Sequence, residues 1–371
     1  MRILHVGKFY PPVRGGMETV LASLCEGTAH RWRVRAVVAH DGARTVRERI
    51  GGVEVIRVGT LARALSVSLS PGLARELWRE RFDCVVLHEP NPPAGTLLAL
   101  HTPAPQLIVW HHSDIVRPAW ANATYGRVQR ALYRRAARVI VAAPPMADGG
   151  SVATAARRVE VVPYGIALEP LLTATSPPNG HLTGVLDRLS SPRVLFVGRL
   201  VYYKGLTVLL EAIAATRASL VIAGDGPLET ALRERVEALG VAGRVAFCSG
   251  LSDEDVRRLY RACDVFVLPS TERTEAFGLV QVEAMASGLP VVSTDLPTGV
   301  PWVNEHEVTG LVVRRDDAGA LAAGLQRLLA DPALRATLGQ AGRRRAIERF
   351  AVGRMLEDFI AIVASVTGVG G

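Results

Sequence analysis

The sequence predicts an α/β protein built from two Rossmann-like domains. Short β-branched runs alternate with longer helical patterns, as in a parallel sheet covered by helices on both faces. The first set of runs is RILHV, RVRAVVA, DCVVLHE, QLIVWH, RVIVAA and VEVVPYG, and the second is RVLFVG, SLVIAGDG, VAFCSG, DVFVLPS, LPVVSTD and GLVV. Because 371 residues exceed what one hydrophobic core usually serves, each set is expected to form its own sheet.

A polar stretch with prolines and a glycine, TATSPPNGHLTG, separates the two sets and has the character of a linker. We therefore predict a first domain over residues 1–175, a linker over 176–192 and a second domain over 193–349. A hinge is expected within 167–192. The C-terminal helix, residues 350–371, is expected to pack back onto the first domain.

The composition narrows the class of protein. A hydrophobic fraction of 49% with scattered charge excludes a disordered or fibrous chain. The N-terminus has no apolar core of a secretory signal, and no run reaches about 18 uninterrupted apolar residues, so a cytoplasmic location, at most peripheral on the membrane, is expected. The four cysteines stand singly, without CxxC pairs or histidines at metal-ligand spacing, which predicts buried free thiols and neither a metal nor another cofactor.

The net charge of +8 is carried by the first half of the chain. Residues 1–190 contain 23 Lys and Arg against 14 Asp and Glu, while the remainder contains 20 against 21. This favours an anionic partner for the first domain, such as a membrane surface or a lipid-phosphate acceptor, although a basic bias without a partner explains the numbers equally well. No nucleic-acid partner is expected, because the basic stretches lack interleaved aromatics.

Two glycines lie where the first strand leads into the first helix. In KFYPPVRGGMETVL, Gly15 and Gly16 open the N-terminus of the helix, whose unbonded N–H groups favour a phosphate. An ordinary tight turn explains the pair as well. No GxGxxG follows the strand, which argues against a dinucleotide-dependent dehydrogenase.

The loop VLFVGRLVYYKGL follows the first strand of the second set. It places Arg199 and Lys204 at the carboxyl end of a parallel strand, where α/β proteins bind ligands, so that both can converge on one anionic group. The chain has 41 Arg but only two Lys, Lys8 and Lys204, which indicates that a compact ammonium is required at this point. The alternative is solvated surface charge.

The segment LPSTERTEAFGLVQVEAMASGLPVVSTD carries two carboxylates, Glu275 and Glu283, separated by seven residues. Glu275 falls in a glycine-containing loop, and Glu283 falls in the helix that starts near Phe277 to Val280. Such a pair can accept hydrogen bonds from hydroxyls of a transferred hexose and of a ribose. The alternative is a helix-start acid stabilised by the helix dipole beside a solvated acid.

The strand in LIVWHHSDIVRP ends in two histidines, His111 and His112. A histidine at the carboxyl end of a parallel strand points into a cleft, where it can hydrogen-bond a sugar hydroxyl or polarise a reacting centre. Taken alone, such a histidine is more often structural. A Ser-His-Asp hydrolase is formally compatible with the segment, but no GxSxG motif supports it.

Together, GG before the first helix, GRLVYYKG, GDGP and the E-x7-E of EAFGLVQVEAMASGLPVV resemble the retaining glycosyltransferases of family 4, which have the GT-B fold. The resemblance is dense from Arg193 to Val313 and extends to Arg2 to Leu21 and Leu107 to Arg117. It implies two Rossmann-like domains whose parallel sheets face each other across a central cleft. It also implies transfer of a hexose from a nucleotide-sugar with the α configuration retained.

The resemblance further implies a role for each matching residue. Arg199 and Lys204 would hold the donor diphosphate and neutralise the leaving group without a metal. Glu275 would bind the transferred sugar and Glu283 the ribose. The expected catalytic residues are His112, Arg199, Lys204 and Glu275, with His112 preferred to His111 because it directly precedes Ser-Asp. The expected donor-binding residues are Gly15, Gly16, Arg199, Lys204, Asp225, Gly226, Gly250, Leu251, Glu275, Phe277, Gly278, Leu279 and Glu283.

Within the family, WHHSDIVR, VYYKG and STDLPTGVPWVN are similar to bacterial mannosyl- and rhamnosyltransferases of surface-polysaccharide assembly. The expected donor is GDP-mannose, and the expected acceptor is a glycan or a lipid-linked glycan. The arginines between Arg127 and Arg138 are expected to contact an anionic membrane or, equally, to form a solvated helix face. A nucleotide-sugar epimerase or hydrolase of the same fold and a non-catalytic nucleotide-sugar-binding protein are the alternatives.

Overall fold

The computed structural model describes residues 1–13, 15–64, 67–114, 119–173 and 180–368. The chain forms two compact units, Met1–Gly165 with Val352–Gly371 and Ile166–Ala351. Each unit is organised around its own largely parallel sheet with helices, which confirms the predicted α/β class and its two Rossmann-like parts.

The first unit contains a large sheet and a short hairpin. Its strands are β1 (Arg2–Val6), β2 (Arg33–His40), β3 (Val46–Ile50), β4 (Val53–Gly59), β5 (Ala62–Ala64), β6 (Val67–Leu69), β7 (Cys84–Glu89), β8 (Gln106–His111), β9 (Arg138–Val141) and β10 (Val159–Val161). Its helices are α1 (Gly16–Thr28), α2 (Leu73–Trp78), α3 (Pro92–Leu100), α4 (Ala119–Arg135), α5 (Gly150–Ala155) and the C-terminal α15 (Val352–Thr367). The sheet order is β10-β9-β8-β7-β1-β2-β4-β3; β3 pairs antiparallel with β4, and β5 and β6 form the separate hairpin.

The second unit contains a six-stranded parallel sheet. Its strands are β11 (Arg193–Val197), β12 (Ser219–Ala223), β13 (Val245–Cys248), β14 (Val265–Leu268), β15 (Val291–Thr294) and β16 (Gly310–Val313). Its helices are α6 (Glu169–Leu172), α7 (Gly180–Asp187), α8 (Leu206–Ala214), α9 (Glu229–Ala238), α10 (Asp253–Ala262), α11 (Leu279–Ala286), α12 (Val300–Val303), α13 (Ala318–Ala330) and α14 (Pro332–Arg349). The sheet order is β13-β12-β11-β14-β15-β16.

In both sheets the strand order reverses beside the first strand of the unit. The reversal lies between β1 and β7 in the first unit and between β11 and β14 in the second. Ligands of open α/β sheets bind outside the carboxyl ends of the strands at such a switch point. The loops that follow these four strands are therefore the places to look for a functional site.

Burial of both sheet faces explains the strand patterns in the sequence. All six residues of β7 and all five of β12 are buried, so these strands read as nearly continuous apolar runs. In the second unit Phe196, Leu209 and Leu325 belong to one core in which the sheet packs against α8 and α13. Each such side chain contributes about 1.5–3 kcal/mol by leaving water, which holds the strand ends in place.

The C-terminal helix α15 belongs to the first unit and packs on α1. A Cβ at Gly27 of α1 would lie 2.5 Å from a methyl carbon of Leu356, so the glycine allows the two helices to approach closely. Phe359 of the same helix is fully buried against the rings of His5 and Trp32. Among the described residues, no helix has the length and apolar character needed to cross a bilayer.

The segment predicted as a linker is structured where it is described. Residues 180–187 form α7 within the second unit, and Leu182 and Leu186 of that helix are buried. The Arg193 guanidinium donates hydrogen bonds to the carbonyl oxygens of Leu186 and Leu189, which ties this segment to the start of β11. The first passage between the units falls at Gly165 and Ile166, ahead of the predicted linker, and residues 176–179 lie outside the described part.

The four cysteines are free of disulfides. Cys25, Cys84 and Cys248 are buried, and Cys263 is partly buried. Burial raises the pKa of the Cys84 and Cys263 thiols to about 12, so both are protonated and unreactive at neutral pH. The expectation of buried free thiols is thus confirmed for three of the four.

Candidate active site

The switch point of the second unit is formed by two loops that are bonded to each other. The first loop leaves β11 through Gly198 and closes in a short helical turn, Tyr202–Lys204. Gly205 then takes a φ of 67°, and a Cβ there would overlap the carbonyl oxygen of Pro269 in the loop after β14. The Thr271 N–H donates to the Tyr203 carbonyl at 2.9 Å. Only glycine at position 205 permits this close approach.

Lys204 and Glu275 meet in this switch point. The Lys204 Nζ lies 2.5 Å from the Glu275 Oε2, and each side chain is only 10% exposed. The Ser270 hydroxyl donates to the same oxygen at 3.0 Å. The structure therefore joins two residues that the sequence places 71 positions apart. A buried pair of this kind is expensive to break, because removing either partner leaves an uncompensated charge in a poorly solvated site.

Arg199 lies in the same loop as Lys204, and its side chain is exposed. Burial and the Glu275 carboxylate raise the pKa of the Tyr203 hydroxyl, and the Arg199 guanidinium opposes them, which leaves that pKa at about 12. The Tyr203 hydroxyl is therefore close enough to Glu275 and Arg199 for both charges to affect its pKa. The arrangement offers an exposed guanidinium beside a buried ammonium, which suits an anionic ligand with more than one oxygen.

Glu283 is the second predicted carboxylate, and it lies on α11. Its Oε2 accepts a hydrogen bond from the Tyr260 hydroxyl at 2.9 Å. Burial raises the pKa of the Glu283 carboxyl to about 7, although the Tyr260 hydrogen bond favours the ionised form. The helix begins at Leu279, directly after Gly278, whose φ of 72° and close approach to Leu268 require a glycine. Phe277 is buried, and its carbonyl accepts a hydrogen bond from the Gln281 amide.

The turns after β12 and β13 reach the same edge of the sheet. The Leu200 N–H donates to the Asp225 carbonyl at 2.9 Å, and a Cβ at Gly226 would overlap the Leu200 backbone. The Gly250 N–H lies 3.5 Å from the Asp225 Oδ2, with Leu251 next in the chain. The structure therefore gathers the predicted residues of the second unit along one edge, with Arg199 and Lys204 in the loop after β11.

Gly15 and Gly16 lie in the first unit, where α1 begins at Gly16. A Cβ at Gly15 would collide with the carboxylate of Glu18, so the absence of a side chain lets Glu18 fold over the start of the helix. Sequence reasoning missed Glu18, although an acid in the first turn is a common helix-start signal. Contact of these glycines with a donor bound to the second unit stays a prediction.

The two adjacent histidines have different partners. The ring of His112 is buried, with Nε2 2.8 Å from the His88 Nδ1 and Nδ1 2.6 Å from the Tyr164 hydroxyl. The His88 Nε2 in turn lies 3.2 Å from the His5 Nδ1. We call this hydrogen-bonded set, His5, His88, His112 and Tyr164, the histidine relay. Burial lowers the pKa of His112 to about 3, so its ring is neutral at physiological pH.

His111 is bonded to a different tyrosine and contacts α4. Its Nδ1 lies 2.8 Å from the Tyr133 hydroxyl, and its Nε2 lies 3.6 Å from the Asp114 Oδ1. Burial lowers the pKa of His111, while the Asp114 charge raises it. Because both ring nitrogens of His112 are engaged, a sugar hydroxyl could reach that ring only by replacing Tyr164 or His88. The assignment of a catalytic role to His112 stays a prediction.

Glu89 is a buried acid at the switch point of the first unit, and sequence reasoning missed it. It ends β7 and accepts hydrogen bonds from the Tyr125 hydroxyl at 2.8 Å and from the Gln129 amide at 3.4 Å. Burial raises the pKa of this carboxyl from 4.5 to about 7, in spite of these hydrogen bonds. The folded protein therefore holds a proton on Glu89 over a pH range in which the unfolded chain has lost it.

We expect this proton to make part of the stability pH-dependent. The protonated Glu89 carboxyl makes its full contribution to the free energy of unfolding below pH 4.5. This contribution is lost as the pH rises through 7, because the carboxyl ionises more easily in the unfolded chain. The free energy of unfolding falls by about 3 kcal/mol as a result. The free energy of unfolding of the Glu89→Gln variant should not fall by this amount as the pH rises. Urea unfolding of both proteins at pH 5 and pH 8 measures the difference. Equal declines in the wild type and the variant would contradict the assignment.

No group of three or more His, Cys, Asp or Glu side chains that could hold a metal ion occurs in the described part of the chain. In the loop after β11, the two cationic side chains are those of Arg199 and Lys204. Sequence reasoning did not find three residues that interact with Glu275 or Glu283. They are Ser270 and Tyr203, which interact with Glu275, and Tyr260, which donates to Glu283. The glutamates that Tyr203 and Tyr260 face lie 72 and 23 positions away in the chain, so no local pattern connects them, while Ser270 is a common residue in a loop.

Comparison with known proteins identifies the family of the chain. Residues 186–345 match the family model described as "Glycosyl transferases group 1", and residues 15–165 match "Glycosyl transferase 4-like domain". The chain is 28% identical to the O-antigen chain mannosyltransferase C of Escherichia coli over 97% of both chains. It is 29% identical to the D-rhamnosyltransferase WbpZ of Pseudomonas aeruginosa, over 93% of this chain and 91% of that one.

The solved structures show the same fold. The Anabaena protein HepE in complex with UDP-glucose matches with a TM-score of 0.79 and 23% identity, over 98% of this chain and all of that chain. Two Rossmann-like units are the architecture of the GT-B class. The chain belongs to the group 1 glycosyltransferases, with a first unit of the glycosyltransferase 4-like type. It is therefore an enzyme that transfers a glycosyl group from a nucleotide-sugar to a glycan or lipid acceptor.

Proposed function

We propose that this glycosyltransferase moves a hexose, with its α configuration retained, from GDP-mannose to a hydroxyl of a lipid-linked glycan. The observation that carries the proposal is the Lys204–Glu275 pair at the switch point of the second unit, with Arg199 beside it. The names of the two full-length relatives, a mannosyltransferase and a rhamnosyltransferase, support a donor of this type. The reaction belongs on the cytoplasmic side of a membrane, with the first unit meeting the acceptor.

In this proposal the diphosphate of the donor replaces Glu275 as the partner that neutralises the Lys204 ammonium. Without a ligand, the ammonium is neutralised by Glu275 at 2.5 Å. A diphosphate placed between Arg199 and Lys204 supplies the compensating negative charge instead. Glu275 is then available to accept hydrogen bonds from hydroxyls of the transferred sugar. One pair of residues thus links binding of the diphosphate to orientation of the hexose.

The remaining predicted residues complete the donor site in this proposal. Glu283 binds the ribose, while Asp225, Gly226, Gly250 and Leu251 lie around the nucleotide. The N–H groups at Gly15, Gly16 and the start of α11 near Phe277, Gly278 and Leu279 bind the phosphates. His112 contacts the sugar.

We place the chemistry on the front face of the sugar. The bond from the anomeric carbon to the diphosphate oxygen breaks as the acceptor oxygen bonds to the same face of that carbon. The acceptor proton passes to an oxygen of the departing diphosphate. Arg199 and Lys204 stabilise the negative charge that develops there, an electrostatic contribution that is usually large in enzymes of this kind. Capture of a glycosyl group on a protein carboxylate would overturn this mechanism.

A donor panel tests the function. The melting temperature is measured with GDP-mannose, GDP-rhamnose, UDP-glucose, UDP-GlcNAc and UDP-galactose, because a ligand that binds only the folded protein raises it. We expect GDP-mannose to give the largest shift and Glu283→Ala to lose it. Arg233→Ala is a matched control, since Arg233 is an exposed residue bonded to Glu229 on α9. No shift with any nucleotide-sugar would contradict the proposal.

The same panel separates the alternative functions. A donor that is hydrolysed without an acceptor would favour the epimerase or hydrolase. A donor that binds but is never consumed would favour a non-catalytic binding protein. Neither alternative is favoured by the relatives reported above.

A further inference from the structure

The histidine relay runs from the carboxyl end of β8 into the core of the first unit. Its outer members, His112 and Tyr164, are each 4% exposed, while His88 and His5 are fully buried. The His5 ring packs against Phe359, with 5.7 Å between the ring centroids. Among the described residues, no group forms a hydrogen bond with the His5 Nε2. The relay therefore has one end near the surface and one closed end, which makes it unsuited to carrying protons across the unit.

Each ring of the relay carries a single proton. Burial lowers the pKa of His5 and of His112 to about 3. Burial and the two neighbouring histidines also lower the pKa of His88. All three rings are therefore neutral at physiological pH. A neutral imidazole has one nitrogen that donates and one that accepts, so the position of the proton on one ring limits its position on the next.

Only two arrangements of these protons leave every contact of the relay hydrogen-bonded. The three contacts join the His5 Nδ1 to the His88 Nε2, the His88 Nδ1 to the His112 Nε2, and the His112 Nδ1 to the Tyr164 hydroxyl. Each contact needs one donor and one acceptor. If His5 is protonated on Nδ1, His88 and His112 must also be protonated on Nδ1. If His5 is protonated on Nε2, both other rings must be protonated on Nε2.

The closed end of the relay decides between the two arrangements. With every ring protonated on Nε2, the His5 Nε2–H would be a buried donor without an acceptor. With every ring protonated on Nδ1, the same atom is a bare nitrogen with an unused lone pair. Among backbone groups, orphaned N–H donors in protein interiors are rarer than under-satisfied acceptors. The same preference at His5 favours protonation of all three rings on Nδ1.

We propose that His5 and His88 are positioning residues, which hold the His112 ring as a hydrogen-bond donor at Nδ1. Strand β7, which carries His88, lies between β1 and β8 in the sheet, so His5 acts on His112 through His88. An oxygen that takes the place of the Tyr164 hydroxyl then meets an N–H group.

This polarity decides what His112 can do for a substrate. A protonated Nδ1 binds an oxygen lone pair, and it does not accept a proton. The identity of that oxygen, a hydroxyl of the transferred hexose, rests on the proposed function. His112 then orients the sugar and is not the base for the acceptor hydroxyl at Nδ1, in keeping with the passage of the acceptor proton to the diphosphate.

Nitrogen-15 NMR of the full chain, labelled on its histidine rings, tests the arrangement. Protonated and unprotonated ring nitrogens resonate at well-separated shifts, and couplings to the ring C–H protons distinguish Nδ1 from Nε2. The signals of His5, His88 and His112 are assigned by their loss in single variants. We expect all three rings to be protonated on Nδ1 at pH 7.5. One ring protonated on the other nitrogen, or all three protonated on Nε2, would overturn the proposal.

Two variants of similar shape test the positioning of His112. His88→Asn keeps an amide N–H that can donate to the His112 Nε2. His88→Asp, when ionised, offers only an acceptor there, which should move the His112 proton to Nε2 and leave Nδ1 bare. We expect kcat/KM for sugar transfer to be about tenfold lower for His88→Asp than for His88→Asn, the value of about one hydrogen bond. His30→Asn and His30→Asp are the matched controls and should be equally active, because His30 is exposed on the first unit.

The outcomes separate the positioning from the proposed function. A His112 proton that stays on Nδ1 in the folded His88→Asp protein would show that His88 does not set it. A proton that moves to Nε2 without any difference in transfer between the two variants would show that the relay does not serve the reaction. Either result overturns the proposal. The NMR measurement needs no donor, so absence of transfer by the wild type would count against the proposed function alone. If His88→Asp does not fold, the proton positions in the wild type still decide the matter.

Discussion

Lys204→Met is expected to destabilise the protein and to slow sugar transfer by two to three orders of magnitude. The substitution leaves the Glu275 carboxylate, which is 10% exposed, without its cation. Removing one partner of a buried pair costs about 3–5 kcal/mol of the free energy of unfolding. Loss of a charge that stabilises a leaving group lowers kcat by about 10²–10³. Urea unfolding and a transfer assay with saturating donor measure the two effects separately.

A double variant distinguishes stability from catalysis at this pair. Lys204→Met combined with Glu275→Gln removes both charges, so most of the lost stability should return. Activity should not return, because the diphosphate then has no ammonium to bind. Restoration of transfer together with stability would show that the pair is structural and would remove the main support for the donor site.

The second large effect is expected at the histidine relay. His112→Gln should lower kcat/KM by about 100-fold if this ring contacts the reacting sugar. The replacement can still form hydrogen bonds with His88 and Tyr164, so the free energy of unfolding should fall less than for an alanine variant. Activity at the wild-type level in a folded His112→Gln protein would refute the role.

Two tyrosines provide a matched pair of controls for this assignment. Tyr164→Phe removes the hydroxyl that lies 2.6 Å from His112, and Tyr133→Phe removes the one that lies 2.8 Å from His111. Each variant loses a single oxygen and keeps its ring. We expect about a tenfold fall in kcat for Tyr164→Phe, the value of one hydrogen bond to the ring, and less than about twofold for Tyr133→Phe. Reversed effects would identify His111 as the functional histidine.

The fold was predictable because its signals are local. Nearly continuous apolar runs indicated strands buried on both faces, and β12 and β7 have this burial. The loop with Arg199 and Lys204 was expected at the carboxyl end of a strand, and it does follow β11. The helix that carries Glu283 was expected near Phe277 to Val280, and it begins at Leu279.

The features that escaped prediction depend on contacts between distant segments. The Lys204–Glu275 ion pair forms because Gly205 lets the loop after β11 approach the loop after β14. The histidine relay joins β1, β7 and the end of β8, and no spacing rule connects those positions in one sequence. Residues 180–187 have the polar, glycine-containing composition of a linker. They form a helix instead, and Leu182 and Leu186 on that helix are buried.

The most direct test of the account is transfer of labelled sugar. The wild type and the Lys204→Met, Glu275→Gln double variant are incubated with GDP-[14C]mannose and a bacterial lipid extract, and label is counted in the lipid-linked fraction. The account predicts label in that fraction with the wild type, release of GDP in equal amount, and none of either with the folded double variant. Equal transfer by both proteins, or release of free mannose alone, would contradict it.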